Sequence, residues 1–198
     1  RRVNDFPDCS FGIHLNITEF RPLTGSQKLE PILDVDGRFA GEERVRSISI
    51  DGEVAEGIFT EFCAQVEKLR SLGVAITHLD SHHHVHTTPR IFSVLKKIQK
   101  RFNLRKVRIT RNIYTNDQMV SRSMAIKKSI YNFWLRHYYR TITTQGFADF
   151  RTFYQRSTTD GVGFNTVEVM VHPGSLAYGD PGETEILRTP WEDDIGRQ

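Results

Sequence analysis

Histidines are concentrated in one short segment, residues 77–89, whose sequence is THLDSHHHVHTTP. Four of them fall within five consecutive positions and are here called the histidine cluster: His82, His83, His84 and His86. The segment is internal, so it is not a purification tag. Neutral imidazole is the commonest side-chain ligand of borderline divalent metals. The cluster therefore predicts a metal site.

The backbone limits how many of these histidines can bind one ion. In an extended segment, neighbouring side chains point to opposite sides, which would place His82, His84 and Asp80 on one face and His83 on the other. Asp80 could then bind the metal, or it could orient an imidazole, as carboxylates near metal sites often do. The cluster thus supplies one or two ligands.

A catalytic metal usually has about three protein ligands and one open position, so another ligand must come from elsewhere. His14 is the natural partner. It lies in FGIHLNI (residues 11–17), where apolar and polar residues alternate as in a strand with one polar face. His172, in VEVMVHPG, follows another apolar run and is a further candidate for the site.

Other kinds of catalytic site lack their sequence signatures. The chain has no G-x-S-x-G elbow, no phosphate-binding loop, no dinucleotide-binding glycine pattern and no H-E-x-x-H helix. Cys9 and Cys63 are the only two cysteines and do not form a metal motif. Such sparing use of cysteine favours a reducing, cytoplasmic location, although a removed signal peptide stays open because the chain begins with Arg1.

Hydrophobic periodicity predicts alternating strands and helices. Strands are expected at residues 11–17, 74–80, 106–110 and 166–174, and helices at 51–73, 89–102 and 121–140. This order is typical of an α/β protein with a parallel sheet, either open or closed into a barrel. The histidine cluster and His172 both follow strands, and the carboxyl ends of parallel strands are where active sites assemble in this class.

Three motifs together resemble the YdjC-like carbohydrate deacetylase family: GIHLNITEFRPL, THLDSHHHVHTTPRIFSVL and VEVMVHPG, in that order. The resemblance implies one domain over residues 1–198, folded as a distorted (β/α) barrel with parallel strands. It also implies a hydrolase that removes acetyl groups from N-acetylated sugars or oligosaccharides with a divalent metal, Mg²⁺ or Zn²⁺. The family's metal-binding histidines fall on His14 and His82, and His172 takes a proton-transfer or substrate-binding role.

The chain departs from the family at its amino terminus. The family's first strand carries Asn-Ala-Asp-Asp-Phe-Gly, whose aspartates complete the metal site and supply the catalytic base, but only thirteen residues precede His14. Asp5, in VNDFPD, does not match that position. We therefore expect a barrel without its first strand and helix, within a longer protein, and association of this chain with another copy through its exposed edges. Among the acids present, Asp80 is assigned to the catalytic site with His172.

Two alternatives from other functional classes stay open. The first is a noncatalytic metal- or sugar-binding protein on the same scaffold. The second is a polyanion-binding protein that uses residues 96–140, because residues 96–111 include eight Lys or Arg and no acid. Aromatic residues are not interleaved there as in nucleic-acid binders, so no nucleic-acid partner is expected.

Two further expectations concern sugars and membranes. Sugar contacts are expected from the irregular residues 21–50 and from the aromatic-rich residues 147–154. The sequence contains no apolar run of about 18 residues or more, so no membrane span is expected.

Overall fold

The computed structural model describes residues 3–110, 112–115, 120–174 and 181–195. Its strands are β1 (Phe11–Leu15), β2 (Ile76–Ser81), β3 (Lys106–Val107), β4 (Gly146–Asp149) and β5 (Val167–Met170). Its helices are α1 (Glu42–Ser47), α2 (Gly52–Ser71), α3 (Phe92–Phe102), α4 (Arg122–His137), α5 (Phe150–Thr159) and α6 (Pro181–Ile186). Short 3₁₀ segments occupy Val3–Asp5, Gln27–Ile32, His82–Thr87, Pro89–Ile91, Tyr138–Arg140 and Trp191–Asp194.

The chain divides into two compact units. The first comprises residues 1–107 and 136–142, and the second comprises residues 108–135 and 143–198. The first unit contains a parallel sheet in the order β1-β2-β3, and the second contains the parallel pair β4-β5. Parallel strands alternating with helices confirm the predicted α/β class. The described strands form small open sheets, so the predicted barrel is not confirmed.

The sheet of the first unit has one apolar and one polar face near its carboxyl edge. Ile13, Leu15 and Leu79 are fully or almost fully buried. The alternate positions of the same strands carry His14 and Asp80, which stand opposite each other in the β1–β2 register. Two-residue periodicity therefore places the chemistry-bearing side chains together while their neighbours build the core.

A close approach between β1 and β2 depends on a glycine. Gly12 pairs with His78, and a Cβ added to Gly12 would lie 2.3 Å from Nε2 of that imidazole. A side chain larger than hydrogen at this position would collide with the His78 ring. The absence of a side chain at Gly12 thus leaves room for the His78 ring.

Helix α2 confirms its sequence signals closely. The Asp51 carboxylate accepts hydrogen bonds from the backbone N–H groups of Glu53 and Val54, as an N-cap should. Apolar residues at helical spacing are buried along one face, including Ile58, Phe62 and Val66. The helix ends just before Gly73, whose φ of 83° is readily adopted only by glycine.

Other elements differ from the predictions. The strand expected at residues 106–110 is only two residues long, and β4, α1, α5 and α6 were not predicted. The third helix begins with a 3₁₀ turn, Pro89–Ile91, before its α-helical part. None of the helices in the described parts of the chain is long and apolar enough to cross a membrane.

The basic segment is partly a core element. Lys96 is 3% exposed and donates hydrogen bonds to Gln99 Oε1, Thr141 Oγ1 and the Tyr138 carbonyl. Burial lowers the pKa of this ammonium group to about 8. One of the eight basic residues counted toward a polyanion surface is therefore committed to packing.

A buried carboxylate organises the irregular segment after β1. Glu61 of α2 is fully buried and accepts hydrogen bonds from the backbone N–H groups of Leu23 and Thr24 and from the Thr24 hydroxyl. One turn later, Gln65 accepts from the Asn16 N–H and donates to the Asn16 carbonyl. The helix thus fixes both ends of the stretch between residues 16 and 24.

We predict that Glu61→Leu lowers the free energy of unfolding by about 1–3 kcal/mol, because it removes the acceptor of three part-buried hydrogen bonds. Urea denaturation measures the change. Glu67→Leu is the matched control: Glu67 lies on the same helix but its ion pair with Arg101 is exposed, and its loss should cost less than about 1 kcal/mol. Equal losses in the two variants would contradict the organising role of Glu61.

Candidate metal centre

His14 and His82 converge at the carboxyl edge of the first sheet. His14 is the penultimate residue of β1, and His82 follows directly after β2. Nε2 of His14 lies 3.4 Å from Nδ1 of His82, and the ring centroids are 5.5 Å apart. The predicted convergence of these two imidazoles is confirmed. Their role as metal ligands stays a prediction.

Asp80 contacts the opposite side of the His14 ring. Its Oδ1 lies 2.7 Å from Nδ1 of His14, within hydrogen-bonding distance. The Asp80 side chain is 13% exposed, whereas the His14 side chain is 51% exposed. An ionised carboxylate only accepts hydrogen bonds, so this contact favours the His14 tautomer with hydrogen on Nδ1 and a lone pair on Nε2. This contact fits the orienting role, one of the two that the sequence left open for Asp80, and that role stays a prediction.

The Glu19 carboxylate lies near the other nitrogen of the His82 ring, at a longer distance. Its Oε2 lies 3.3 Å from Nε2 of His82, an atom without solvent exposure. Burial lowers the pKa of His82, while the neighbouring Glu19 carboxylate opposes that shift. The net direction favours the neutral imidazole, which is the form that can bind a metal.

The predicted orientation of His83 is wrong. Strand β2 ends at Ser81, and His83 and His84 have left-handed backbone angles, with φ of 49° and 52°. Because the chain is not extended here, side chains do not alternate, and the His83 ring packs 4.1 Å from the His82 ring. His83 Nε2 lies 3.9 Å from Glu19, and its Nδ1 lies 3.0 Å from the Thr18 hydroxyl.

His86 belongs to the core. It is fully buried, its Nδ1 lies 2.6 Å from the Ser81 hydroxyl, and its backbone N–H donates to the same oxygen. This bonded pair closes the turn that follows β2. His86 therefore has a structural role in this turn.

The donor set fits a divalent metal between His14 and His82. At bond lengths of about 2.0–2.1 Å and a tetrahedral angle, two nitrogens on one zinc ion lie about 3.4 Å apart. The measured separation of the facing nitrogens is 3.4 Å. The other nitrogen of the His14 ring is hydrogen-bonded to the Asp80 carboxylate, which is the usual environment of a metal-bound histidine.

A second group of donors shares His82 with this pair. Glu19, His82 and His83 each offer one atom, and the three atoms lie within 4.8 Å of one another. A neutral imidazole has a single lone-pair nitrogen, so His82 can serve only one of the two arrangements at a time.

Sequence reasoning missed Glu19. It stands four residues beyond β1 in a segment without periodicity, and neither metal-ligand spacing nor alternation points to it. The available signal was an Asn-x-Thr-Glu sequence directly after a strand, since Asn readily forms hydrogen-bonded turns.

Two other sequence candidates lie in the second unit. His172 follows β5, and its backbone N–H donates to the Glu183 carboxylate. Its catalytic role stays a prediction. In residues 147–154, Phe147 and Phe150 are almost fully buried and belong to the core, and the expected sugar contacts of this stretch stay a prediction.

A family model described as YdjC-like protein matches residues 1–194. The chain belongs to the YdjC-like family. Relatives named carbohydrate deacetylase include one from Geobacillus stearothermophilus, 36% identical over 113 residues, which are 56% of this chain and 43% of that protein. Another, from Vibrio campbellii, is 33% identical over 102 residues, which are 52% of this chain and 39% of that protein.

A solved structure supports the fold. A candidate cellobiose-phosphate cleavage protein from Enterococcus faecalis V583 superposes with a TM-score of 0.68, covering 95% of this chain and 73% of that one. At 20% identity, this likeness concerns the fold alone. The YdjC-like chain matches less than half the length of the curated relatives named above.

For this YdjC-like chain, we predict that His86→Ala and Ser81→Ala are each destabilising and that their effects are strongly non-additive. Both substitutions remove the same buried hydrogen bond, so a double-mutant cycle measured by urea denaturation should give a coupling of about 0.5–3 kcal/mol. Additive effects would show that the bond does not stabilise the turn after β2.

Proposed function

We propose that this chain forms the metal-binding part of an enzyme that hydrolyses the acetamido group of N-acetylated sugars or oligosaccharides. The observation that carries the proposal is the facing pair of imidazole nitrogens, 3.4 Å apart, with the Asp80 carboxylate behind the His14 ring. Membership of the YdjC-like family, with relatives named carbohydrate deacetylase, supports the reaction class.

His14 and His82 would hold the metal. Imidazole donors suit Zn²⁺, whereas Mg²⁺ strongly prefers oxygen ligands, so the pair favours zinc over magnesium. A divalent ion bound there would polarise the acetyl carbonyl and lower the pKa of a water molecule. Two protein ligands leave room for a further carboxylate and for solvent.

The surrounding side chains bear on the orientation of the rings, on access for the substrate and on proton transfer. Asp80 accepts a hydrogen bond from His14 and fixes the direction of its Nε2 lone pair. The His14 side chain is half-exposed, which gives a bulky sugar access to this edge of the sheet. His172 is proposed to protonate the departing amine as a general acid.

The attacking water also needs a base. Asp80 lies 2.7 Å from a ring nitrogen of His14, which suits orientation rather than removal of a proton from water. We therefore assign the base to the family's amino-terminal aspartate motif, within one YdjC-like domain whose distorted barrel includes residues 1–198. A general base of this kind contributes about 10²–10⁴-fold to the rate.

The first test concerns the metal ligands. We predict that the 198-residue chain binds Zn²⁺ and that His14→Ala and His82→Ala each weaken binding at least tenfold, because each substitution removes one ligand. Isothermal titration calorimetry measures the affinity. Ser47→Ala, an exposed change outside the site, should leave it unchanged. Retained binding in both histidine variants would refute the pair.

The second test concerns the reaction. A longer form that carries the amino-terminal aspartates should release acetate from an N-acetylated chito-oligosaccharide, and a chelator should abolish this activity. The 198-residue chain should be slower by about 10²-fold or more, because it lacks the base. Equal rates for the two forms would move the base to Asp80 or Glu19. Metal binding by both forms without acetate release would instead favour a noncatalytic binding protein.

A further inference from the structure

We propose that one face of α4 is a docking surface for a membrane of anionic lipids, on which the helix lies in the plane of the headgroups. Large apolar side chains are exposed along this face and are here called the α4 stripe: Ile126, Ile130, Phe133 and Trp134. None of these residues belongs to the candidate metal centre. Lipid binding through the stripe is therefore separate from the proposed metal chemistry.

The α4 stripe is continuous and open to solvent. Its four residues are each between 54% and 59% exposed. At about 100° per residue, successive steps of four, three and one residues keep them within an arc of about 100°. The rings of Phe133 and Trp134 contact each other edge to face, with centroids 5.6 Å apart. A contiguous exposed apolar patch of this kind marks an interaction site.

The opposite face of α4 holds the helix in place. Three residues of that face are buried: Tyr131, Asn132 and Leu135. The side-chain oxygen of Asn132 accepts hydrogen bonds from the backbone N–H and the hydroxyl of Thr110. Lys128, on the same side, donates a hydrogen bond to the Tyr114 hydroxyl at 2.6 Å. A rotation of α4 that buried the stripe would break these bonds, so the stripe faces outward.

Basic residues flank the α4 stripe. Arg122 and Lys127 are exposed, and helical spacing places them on the two sides of the stripe. No Asp or Glu occurs from residue 118 to residue 148, so no acid near in sequence neutralises them. An apolar helix face bordered by Lys and Arg is typical of helices that lie on anionic membranes. Their apolar side chains enter the boundary of the acyl chains, and their cations contact lipid phosphates.

The same charge pattern argues against a second copy as the occupant. In a two-fold interface the same face meets itself, so Arg122 and Lys127 would approach the cations of the other copy. An acidic protein that recognises a basic helix usually takes it into a groove. The buried Asn132 side leaves only one side of α4 accessible. A flat anionic surface requires only that side, and Trp is favoured at the membrane interface.

Vesicle co-sedimentation of the 198-residue chain tests the charge requirement. Vesicles of phosphatidylcholine and phosphatidylserine, mixed at about 2:1, should bind the chain at least about tenfold more tightly than pure phosphatidylcholine vesicles, because the cations need anionic headgroups. Arg122→Ser combined with Lys127→Ser should weaken binding about 10–30-fold, which corresponds to about fivefold per cation. Lys97→Ser combined with Lys100→Ser removes two exposed cations from α3 and is the matched control, with an expected loss below about threefold.

The same assay tests the apolar contribution. Ile126→Ser combined with Ile130→Ser should weaken binding at least about tenfold, because these side chains would no longer enter the acyl boundary. Leu23→Ser combined with Val35→Ser, which removes two exposed aliphatic side chains outside α4, is the matched control and should leave binding unchanged. All four substituted side chains are exposed, and circular dichroism checks that the fold is retained.

Tryptophan fluorescence locates the contact. The chain has two tryptophans, so Trp134 is the only one in a Trp191→Phe variant. Its emission should shift to shorter wavelength with the phosphatidylserine vesicles and not with pure phosphatidylcholine. An unchanged emission spectrum on bound vesicles would place the contact elsewhere and overturn the proposal.

Other results would also overturn the proposal. Equal loss of binding in the Lys97→Ser and Lys100→Ser control would show that net charge, not the α4 surface, is recognised. Salt-sensitive binding that survives Ile126→Ser and Ile130→Ser would indicate a polyanion held by charge alone. A dimer in lipid-free solution that Ile130→Ser dissociates, measured by analytical ultracentrifugation, would assign the stripe to a second copy. Absence of vesicle binding in a longer form would show that further sequence covers it.

Discussion

The parallel pairing of β1 with β2 is the constraint on which the site depends. The register sets His14 opposite Asp80 and ends both strands one position later, at Leu15 and Ser81. The segments that follow the two strands therefore begin at the same edge of the sheet, where Glu19 lies close to His82 and His83. A slip of one residue would reverse the faces, burying His14 and exposing the apolar residues beside it. Burial of apolar residues stabilises this pairing, so the same apolar contacts that fold the unit also orient the His14 imidazole.

The longer elements could be predicted from the sequence because periodicity encodes them locally. Alternation around His14 and the apolar stripe of α2 indicate which side of each element is buried. The Asp51 cap marks where α2 begins. Burial of apolar surface is the dominant favourable term in folding, so these signals carry most of the information about the core. The meeting of His14 with the histidine cluster followed from a topological rule about the ends of parallel strands, whereas the choice of His82 within the cluster was implied by the family resemblance. These inferences need no knowledge of side-chain contacts.

The parts that failed depend on contacts between segments distant in sequence. The left-handed conformation of His83 and His84 is unusual for residues other than glycine and asparagine. Arg46 binds the His83 carbonyl from a helix 37 residues earlier, and Thr18 binds its ring from 65 residues earlier. No local pattern encodes such contacts. The same holds for Glu19, whose placement depends on Gln65 holding Asn16.

The two imidazoles differ in solvent exposure, and the proposed function needs both environments, one to hold the metal and one to admit the substrate. His82 is mostly buried, and burial lowers its pKa, so its ring stays neutral and fixed against Glu19 and His83. His14 is half-exposed, but Asp80 restrains its ring from the protein side. His82 would therefore hold the metal in a setting with little water, whereas His14 is accessible from the surface. If His82 were exposed, protons and water would compete with the metal for its ring. If both histidines were buried, a sugar could not reach the site. This division of exposure is therefore consistent with the proposed binding of a cation beside a bulky polar substrate.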